Sequence, residues 1–137
     1  MTEPLNHHAA LIYVMVASSG VDHAMTHDEF ARIGEIVSHL PVFADCDESG
    51  LFKAAESCSE ILSADDGLQQ VLRLVRGALP EKLRETAYAV ALEVAAADRL
   101  VRPEEIRFLE MLGDTLELDR MTTAAIERGI RARNMTL

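Results

Sequence analysis

Four carboxylates stand at matching positions in two stretches of the chain, and their type and spacing suit them to metal chemistry. Glu29 follows Asp22 by seven residues, and Glu105 follows Asp98 by the same interval. Carboxylate oxygens are ligands that Ca²⁺, Mg²⁺ and Mn²⁺ prefer. Because Ca²⁺ takes about 6–8 oxygens, one such pair alone makes a poor site. The spacing therefore indicates a divalent-cation site if the two loops come together and combine all four carboxylates.

The same residues also have an ordinary structural explanation. Thr26 and Glu29 form a Thr-x-x-Glu sequence, a capping box in which each side chain binds the other residue's backbone N–H at the start of a helix. A glutamate in the first turn also interacts favourably with the helix dipole. An aspartate in the loop before such a helix is equally ordinary. The residues alone leave both interpretations open, helix caps and metal ligands.

Histidines occur in the first of these loops but not in the second. His23 and His27 add nitrogen donors that could recruit Zn²⁺ or Ni²⁺ to the first loop. Exposed loop histidines are common, however, and His7 and His8 are expected to form a solvated helix start. The cation is thus left open among Ca²⁺, Mg²⁺, Mn²⁺ and Zn²⁺. Further acidic residues are interpreted as turn and cap residues: Asp45, Asp47, Glu48, Asp65 and Asp66.

No motif in the sequence indicates catalysis. Ser18 and Ser19 lie at a helix end, and neither Cys46 nor Cys58 has an adjacent histidine to act as a base. The chain contains neither a glycine-rich phosphate loop nor a His-Glu-x-x-His motif. The two cysteines lack metal-binding spacing, so both are expected to be free thiols, with Cys58 half-buried on a helix. We therefore expect a non-enzymatic protein.

The composition fits one soluble globular domain spanning residues 1–137. Apolar residues make up 49% of the 137-residue chain and charged residues 26%, enough to form a packed core. A net charge of −10 and the lack of Trp argue against nucleic-acid and anionic-membrane binding. The chain start lacks a basic segment, and the longest apolar run is residues 9–17. We therefore expect no secretory or membrane-spanning segment and a cytoplasmic location.

The charge is distributed unevenly along the chain. Residues 1–70 contain 12 Asp and Glu against 2 Lys and Arg, whereas residues 71–137 contain 11 of each kind. An acidic half of this type attracts cations and basic partners. The basic residues of the second half form two groups, each expected to be a solvated face or a patch for an anion or a partner: Arg73, Arg76, Lys82 and Arg84, and Arg120, Arg128, Arg131 and Arg133.

About seven helices are expected to position these residues, in a compact all-α bundle. Apolar residues recur at helical spacing nearly throughout, and good helix formers are abundant. The fifth helix is the most apolar and is expected to be central. Cap residues and first-turn prolines mark several helix starts, namely Thr26, Asp47, Asp65, Pro80 and Pro103. The expected helices span about residues 5–19, 26–40, 48–62, 66–78, 80–97, 103–116 and 120–133.

Helices 1 and 2 are echoed by helices 5 and 6, which predicts an internal pseudo-two-fold helix-loop-helix repeat. Shifting the chain by 76 residues lays the first acidic pair over the second. The apolar positions also coincide, and in helix 6 they predict a buried face of Ile106, Leu109 and Leu112. The repeat halves cover about residues 8–41 and 84–117.

Three segments carry a resemblance to a known family. They are residues 94–98 with the following Glu105, the related stretch 22–29, and residues 79–88, which read LPEKLRETAY. Over about residues 8–133 the chain resembles the tellurite-resistance TerB family. The resemblance implies an all-helical domain with internal two-fold character, an association with resistance to tellurite and other stresses, and an acidic metal-binding patch. The positions that match this patch are Asp22, Glu29, Asp98 and Glu105.

The chain departs from the family pattern after both aspartates. Glycine is usual there, whereas His23 and Arg99 stand at these positions. Arg99 places a cation beside Asp98, where it can pair with the carboxylate and compete with a metal. The first half of the site is therefore expected to bind a cation better than the second.

These features predict a non-enzymatic TerB-like protein associated with stress and tellurite resistance, with a divalent-cation site on its acidic loops. Its expected partner is another protein in a stress-response assembly, without nucleic acid or membrane insertion, and the chain is expected to be a monomer or a homodimer. The alternative is a metal-free helical protein-interaction module that uses its acidic N-terminal half to dock a basic partner.

Overall fold

The arrangement of the helices comes from a computed structural model, which describes residues 5–19, 26–96 and 103–137. Within those ranges the chain forms seven α-helices and two short 3₁₀ turns, without a strand. The predicted all-α bundle is therefore confirmed. None of the helices in these ranges is both long and apolar enough to cross a lipid bilayer. The helices are α1 (His7–Ser19), α2 (His27–His39), α3 (Glu48–Leu62), α4 (Gly67–Ala78), α5 (Arg84–Ala96), α6 (Pro103–Thr115) and α7 (Arg120–Arg133).

Helix α1 is buried on every side. Every residue from Ala10 to Ser18 is buried, and the helix packs against α2, α3, α4, α5 and α6. A helix that is apolar all round has no face suited to water, so it belongs in the interior of a bundle. Helix α5 is also largely buried, as the sequence predicted, but α1 shares the centre with it.

A buried hydrogen bond joins the two central helices. Ser18 in the last turn of α1 is fully buried, and its Oγ donates to the backbone carbonyl of Ala91 in α5 at 2.8 Å. The bond satisfies a hydroxyl that would otherwise be costly to bury. The flanking helices α2 and α6 each contact both α1 and α5. The pseudo-two-fold repeat would require such an arrangement, but the repeat itself stays a prediction.

Side-chain caps begin α2, α3 and α7. Thr26 caps α2, the Asp47 carboxylate accepts the Gly50 N–H at 2.7 Å, and the Asp119 carboxylate accepts the Thr122 N–H at 2.7 Å. These backbone bonds lower the pKa of both aspartates because they stabilise the charged carboxylate. The predicted caps Thr26 and Asp47 are thus confirmed.

The predicted start of the fourth helix is wrong. Helix α4 begins at Gly67 after Asp66, not after an Asp65 cap, and Asp66 makes no side-chain cap bond. Glycine is required at this start because a Cβ on Gly67 would overlap the carbonyl oxygen of Ile61. The chain therefore turns from α3 into α4 through a backbone approach that is too close for a side chain.

Helix α5 begins later than the sequence predicted. Pro80 has an extended backbone rather than a helical one, with ψ at 147°. Its carbonyl accepts the Leu83 N–H at 2.9 Å, which closes a short 3₁₀ turn over Glu81–Leu83. The regular helix therefore starts only at Arg84.

The buried face of α6 also differs from the prediction, although Pro103 begins the helix as expected. Leu109 and Leu112 are buried, but the third large buried side chain is Phe108, while Ile106 is 47% exposed. The helix is rotated about its axis so that Phe108 rather than Ile106 faces the core. This rotation removes the larger apolar surface of the two from water.

Helix α6 ends in a Schellman motif. The Leu118 N–H donates to the Gly113 carbonyl at 3.0 Å, and the Glu117 N–H donates to the Asp114 carbonyl at 3.1 Å. Glu117 has φ at 57°, the left-handed conformation that glycine usually occupies in this motif. The end of the helix therefore depends on further contacts that hold Glu117 in place.

Two arginines supply those contacts. Arg76 donates to the carbonyl of Thr115 and forms an ion pair with Glu117 at 2.9 Å, and Arg84 donates to the carbonyl of Leu116 at 3.3 Å. Cations at the C-terminal end of a helix also interact favourably with its dipole. The sequence suggested that Arg76 and Arg84 belong to a solvated face or a partner patch. In the structure both of them stabilise the end of α6.

Alkaline pH is expected to destabilise the fold through buried acidic groups. Burial raises the pKa of Cys58 from its ordinary value of 9.0 to about 12. Burial, together with nearby Glu127, raises the pKa of Tyr88 from 10.0 to about 12. Above these ordinary values the unfolded chain loses protons that the folded chain keeps. The free energy of unfolding should therefore fall by up to about 1.4 kcal/mol per pH unit for each group until the folded pKa is passed.

Urea unfolding between about pH 8 and pH 11 measures this decline. Cys58→Ala is expected to make the decline shallower above pH 9, because Cys58 is fully buried. Cys46→Ala is the matched control with a smaller expected effect, since Cys46 is partly exposed. The same slope in Cys58→Ala and in the unaltered protein would contradict the prediction.

Candidate functional site

The structure places two of the four predicted metal ligands. Glu29 is the third residue of α2, and Glu105 is the third residue of α6. Asp22 and Asp98 lie outside the described residues, as do the histidine and the arginine that follow them. The described half of the candidate site thus consists of two glutamates at the same position of two helices.

Glu29 acts as a helix cap. Its Oε1 accepts the backbone N–H of Thr26 at 2.8 Å, and the Thr26 hydroxyl accepts the Glu29 N–H at 3.1 Å. This reciprocal pair is the capping box that the sequence predicted. The cap bond engages one of the two carboxylate oxygens. Capping and coordination of a cation can therefore share the same side chain.

Glu105 lies in a different environment from its neighbour Glu104. Glu104 is exposed, whereas Glu105 is half-buried and its Oε2 is screened from solvent. A glutamate that only complemented the helix dipole could remain in water, as Glu104 does. A carboxylate held away from water requires compensating polar or charged groups. The inward placement of Glu105 is therefore suited to a structural ion pair or to a ligand.

Each of the two glutamates begins a helix that packs on both central helices. Helix α2 follows α1 in the chain, α6 follows α5, and each of them contacts both α1 and α5. The bond from Ser18 to Ala91 joins the last turn of α1 to α5 about one and a half turns before α5 ends at Ala96. The four helices α1, α2, α5 and α6, which flank the two acidic segments in the sequence, therefore belong to one packed unit.

In the described parts of the chain, no three His, Cys, Asp or Glu side chains are arranged to hold a metal ion. A cation site on Glu29 and Glu105 would therefore need Asp22 and Asp98 as well, and these lie outside the described residues. His27 is the first residue of α2 and is exposed. Among the described residues, His27 is the histidine nearest to Glu29 along the chain, and its ring offers a nitrogen donor.

An apolar groove that the sequence did not predict lies between α2 and the start of α3. Its volume is about 950 Å³, and Val37, Phe43 and Leu51 form its buried floor. Phe30 and Phe52 meet edge to face at its margin, with ring centroids 6.0 Å apart, and Phe52 is 57% exposed. Phe52 therefore adds exposed apolar surface beside a groove whose floor is apolar.

His8 is half-buried and contacts the 3₁₀ turn that supplies Phe43 to this groove, so the prediction of a solvated histidine is wrong. Its Nε2–H donates to the carbonyl of Val42 at 2.8 Å, and its ring centroid lies 5.7 Å from that of Phe43. Because the carbonyl can only accept, Nε2 carries the proton. The 3₁₀ turn Pro41–Phe43 thus folds back onto the start of α1. This contact could not be inferred from local spacing because its partners are 34 residues apart.

A smaller cavity of about 400 Å³ lies between α2 and the end of α7. Charged side chains of both signs line it, among them Arg32, Glu35, Glu93 and Arg133. Arg133 forms an ion pair with Glu93 at 3.3 Å. The mixture of charges gives this cavity no strong preference for an anion or a cation, and Arg133 acts here between α7 and α5.

Comparison with known proteins identifies one family. A family model described as "Tellurite resistance protein TerB" matches residues 8–128. Comparison with curated proteins and with solved structures gave no significant match. The family match covers both acidic pairs and every helix up to the middle of α7.

The capping role of Thr26 and Glu29 can be tested apart from any metal. Thr26→Ala is expected to lower the free energy of unfolding by about 1 kcal/mol, because it removes the hydroxyl that binds the Glu29 N–H. Glu29→Gln is expected to change it by less than about 0.5 kcal/mol, because a glutamine oxygen can accept the same Thr26 N–H. Urea unfolding in EDTA measures both values. An equally large loss in Glu29→Gln would contradict a simple capping role.

Proposed function

The chain belongs to the TerB tellurite-resistance family, and we propose that it is a non-enzymatic protein of the tellurite and stress response that binds a divalent cation on its two acidic loops. The observation that carries the proposal is the shared placement of Glu29 and Glu105. Each is the third residue of a helix that packs on both central helices. The proposed ligands are Asp22, Glu29, Asp98 and Glu105.

The donor set suits a hard divalent cation. Four carboxylates offer about eight oxygens, which covers the 6–8 that Ca²⁺ takes and exceeds what Mg²⁺ needs when it keeps several waters. Mn²⁺ accepts similar oxygen ligands. Zn²⁺ stays an alternative, since His27 stands two residues before Glu29. The half-buried carboxylate of Glu105 and the second oxygen of Glu29 support a site that lies against the helices rather than in open solvent.

The thiols support the non-enzymatic part of the proposal. Cys58 is fully buried, and burial raises its pKa to about 12. Burial, together with the neighbouring Asp47 charge, also raises the pKa of Cys46. Both thiols therefore stay protonated at neutral pH, whereas the thiolate is the form that acts as a nucleophile. Neither cysteine is suited to nucleophilic catalysis.

A second candidate function is the metal-free interaction module. The observation that favours it is the groove beside Phe52, an exposed apolar surface in the acidic half of the chain. In this alternative the acidic loops are ordinary caps and turns, and a basic partner in a stress-response assembly binds the groove. We propose a cytoplasmic setting for either function, as the sequence predicted.

EDTA-treated protein is expected to unfold at a higher temperature when one of Ca²⁺, Mg²⁺, Mn²⁺ or Zn²⁺ is added. A ligand at about 100 times its Kd adds about 2.7 kcal/mol to the free energy of unfolding. Asp22→Asn/Asp98→Asn and Glu29→Gln/Glu105→Gln should each abolish this gain, because they remove ligand charge with little change in side-chain size. Scanning calorimetry of each variant with each ion measures the shift.

Asp28→Asn/Glu104→Gln is the matched control for the glutamate variant. Asp28 and Glu104 are the second residues of the same two helices and are exposed, so the control removes the same charge beside the proposed ligands. It should keep most of the cation-dependent shift. An equal loss in the control would indicate general attraction to an acidic surface. If none of the four ions raised the unfolding temperature, the metal proposal would fail and the interaction module would be favoured.

The first acidic loop is expected to contribute more to cation affinity than the second. Arg99 follows Asp98 directly, and a neighbouring guanidinium competes with a metal for the carboxylate. In titration calorimetry with the ion identified above, Asp22→Asn should therefore weaken binding more than Asp98→Asn, and Arg99→Gly should strengthen it. The reverse order for the two aspartates would contradict this prediction.

A further inference from the structure

Three of the chain's four phenylalanines line the groove between α2 and α3, namely Phe30, Phe43 and Phe52. Phe43 belongs to the buried floor, and the rings of Phe30 and Phe52 stand edge to face at the margin. Phe52 is 57% exposed, so part of its ring is open to a further contact. Aromatic rings favour stacked and edge-to-face contacts with other rings. The groove is therefore suited to an aromatic ligand.

The floor of the groove is held in place by the protein itself. The His8 imidazole donates to the Val42 carbonyl and lies against the Phe43 ring, which ties the 3₁₀ turn to α1. The Leu51 N–H, in the first turn of α3, donates to the carbonyl of the cap residue Asp47 at 3.1 Å. Sites for small molecules are usually largely pre-formed. This floor has that property, since its contacts require no ligand.

Several polar side chains that line the groove are already engaged within the protein. The Ser38 hydroxyl donates to the Glu35 carbonyl at 2.7 Å. The Ser49 hydroxyl donates to Oδ1 of Asp47 at 3.1 Å, and the Cys46 thiol donates to the Asp47 carbonyl at 3.6 Å. A ligand would therefore find few polar partners here, and most of its contact with the groove would be apolar.

The charged side chains of the lining offset each other. Among the described side chains that line the groove, Asp47 is the only acidic one and Lys53 the only basic one. The Gly50 N–H is the main cause of the lowered pKa of Asp47, and the positive charge of Lys53 lowers it further. The two charges therefore lie near each other. An ion of either sign would meet attraction and repulsion together and would lose hydration, so the lining favours an uncharged ligand.

The size of the apolar surface fits a small molecule better than a protein. A standard protein interface buries about 800 Å² on each partner around an apolar centre. Apart from Phe52, the large apolar side chains that are exposed in the described parts of the chain lie on α4, α6, α7 and the last few residues, and none of them lines the groove. The apolar surface is thus confined to the groove, whose volume of about 950 Å³ lies within the range of about 300–1,000 Å³ for small-molecule sites.

From these observations we infer that the groove between α2 and α3 binds an uncharged aromatic small molecule. Its rings would contact Phe30, Phe43 and Phe52, and its remaining surface would lie along Gly34 and Leu51. The inference goes beyond the proposed cation site and requires no cation. It assigns a small molecule to the groove where the interaction-module alternative assigns a protein.

The probe for this site is N-phenyl-1-naphthylamine, an uncharged aromatic molecule whose fluorescence rises in apolar surroundings. Titrated with the full chain in EDTA, it should bind one molecule per chain with a Kd on the order of 10 μM. Its emission should increase and shift to shorter wavelength. Circular dichroism checks that each protein used in the titration is folded.

Three competitors with the same ring system test the preference for an uncharged ligand. They are 1-naphthylmethanol, which is neutral, 1-naphthylacetate, which is an anion, and 1-naphthylmethylammonium, which is a cation. The neutral compound should displace the probe at the lowest concentration. Lys53→Gln should change the affinity for the probe by less than about twofold, because the site does not rely on an ion pair.

Gly34→Leu places a side chain in the groove, where a Cβ at Gly34 would meet only Leu51 Cδ2, at 3.8 Å. It should weaken binding of the probe at least about tenfold, because an added side chain competes for the same apolar space. Gly77→Leu is the matched control, since a Cβ at Gly77 meets no atom within 4 Å and α4 does not line the groove. The control should bind as the unaltered protein does.

Phe52→Ala removes the exposed ring and should weaken binding about three- to tenfold, the range that aromatic pairs contribute. Ile106→Ala is its control, because Ile106 is also a large exposed apolar residue but lies on α6, outside the groove. If Gly34→Leu does not fold, Phe52→Ala carries the test, since its side chain is mostly exposed.

Four results would overturn the inference. Absence of probe binding would leave the groove to a protein partner. Displacement by a charged competitor at a concentration equal to or below that of 1-naphthylmethanol would mean a charged ligand. Unchanged affinity in the folded groove variants would place the probe elsewhere on the surface. Self-association that the probe reverses, measured by sedimentation equilibrium, would make a second copy of the chain the occupant.

These outcomes are independent of the cation titrations because every probe measurement is made in EDTA. Asp22→Asn/Asp98→Asn, which should abolish the cation-dependent shift, should bind the probe as the unaltered protein does. Conversely, Gly34→Leu should keep the cation-dependent shift. A failure of either proposal is therefore distinguishable from a failure of the other.

Discussion

The packing of α1 against α5 is the contact on which the rest of the structure depends. Helix α1 has no solvent-facing side between Ala10 and Ser18, so other helices must cover it completely to remove its apolar surface from water, at about 25 cal/mol per Å². Helices α3 and α4 cover part of it, and α2, α5 and α6 cover the rest. The bond from Ser18 to Ala91 lets the last turn of α1 stay buried without leaving a hydroxyl unsatisfied.

The same packing places α2 and α6, the helices that carry Glu29 and Glu105, against the same two central helices. Helices α2 and α6 both rest on α1 and α5, so Glu29 and Glu105 begin helices anchored to the same core. At Glu29 the carboxylate already serves the fold through its bond with Thr26. A carboxylate has two oxygens, so this structural role is compatible with a cation. Capping geometry therefore does not distinguish the two interpretations, and metal-dependent stability does.

Local chemistry accounts for the features that were predicted correctly. The capping box at Thr26 and the cap at Asp47 bind backbone N–H groups three residues away, and Pro103 needs no partner at all to begin α6. Helical periodicity likewise establishes the all-α class. The third-residue positions of Glu29 and Glu105 follow from the same short-range rules. The sequence alone predicts such features because the interacting groups lie within one or two helical turns of each other.

The tertiary structure decided the features whose partners are distant in the chain. The bond from His8 to Val42 spans 34 residues, and the choice of Phe108 over Ile106 as the buried side chain of α6 depends on which helices surround it. Arg76 stabilises the fold because packing places the end of α6 beside it, where it binds the Thr115 carbonyl. The groove exists only where α2, a 3₁₀ turn and α3 meet. Short-range spacing specifies where a helix starts, whereas burial and contact depend on how the whole chain packs, which no local pattern encodes.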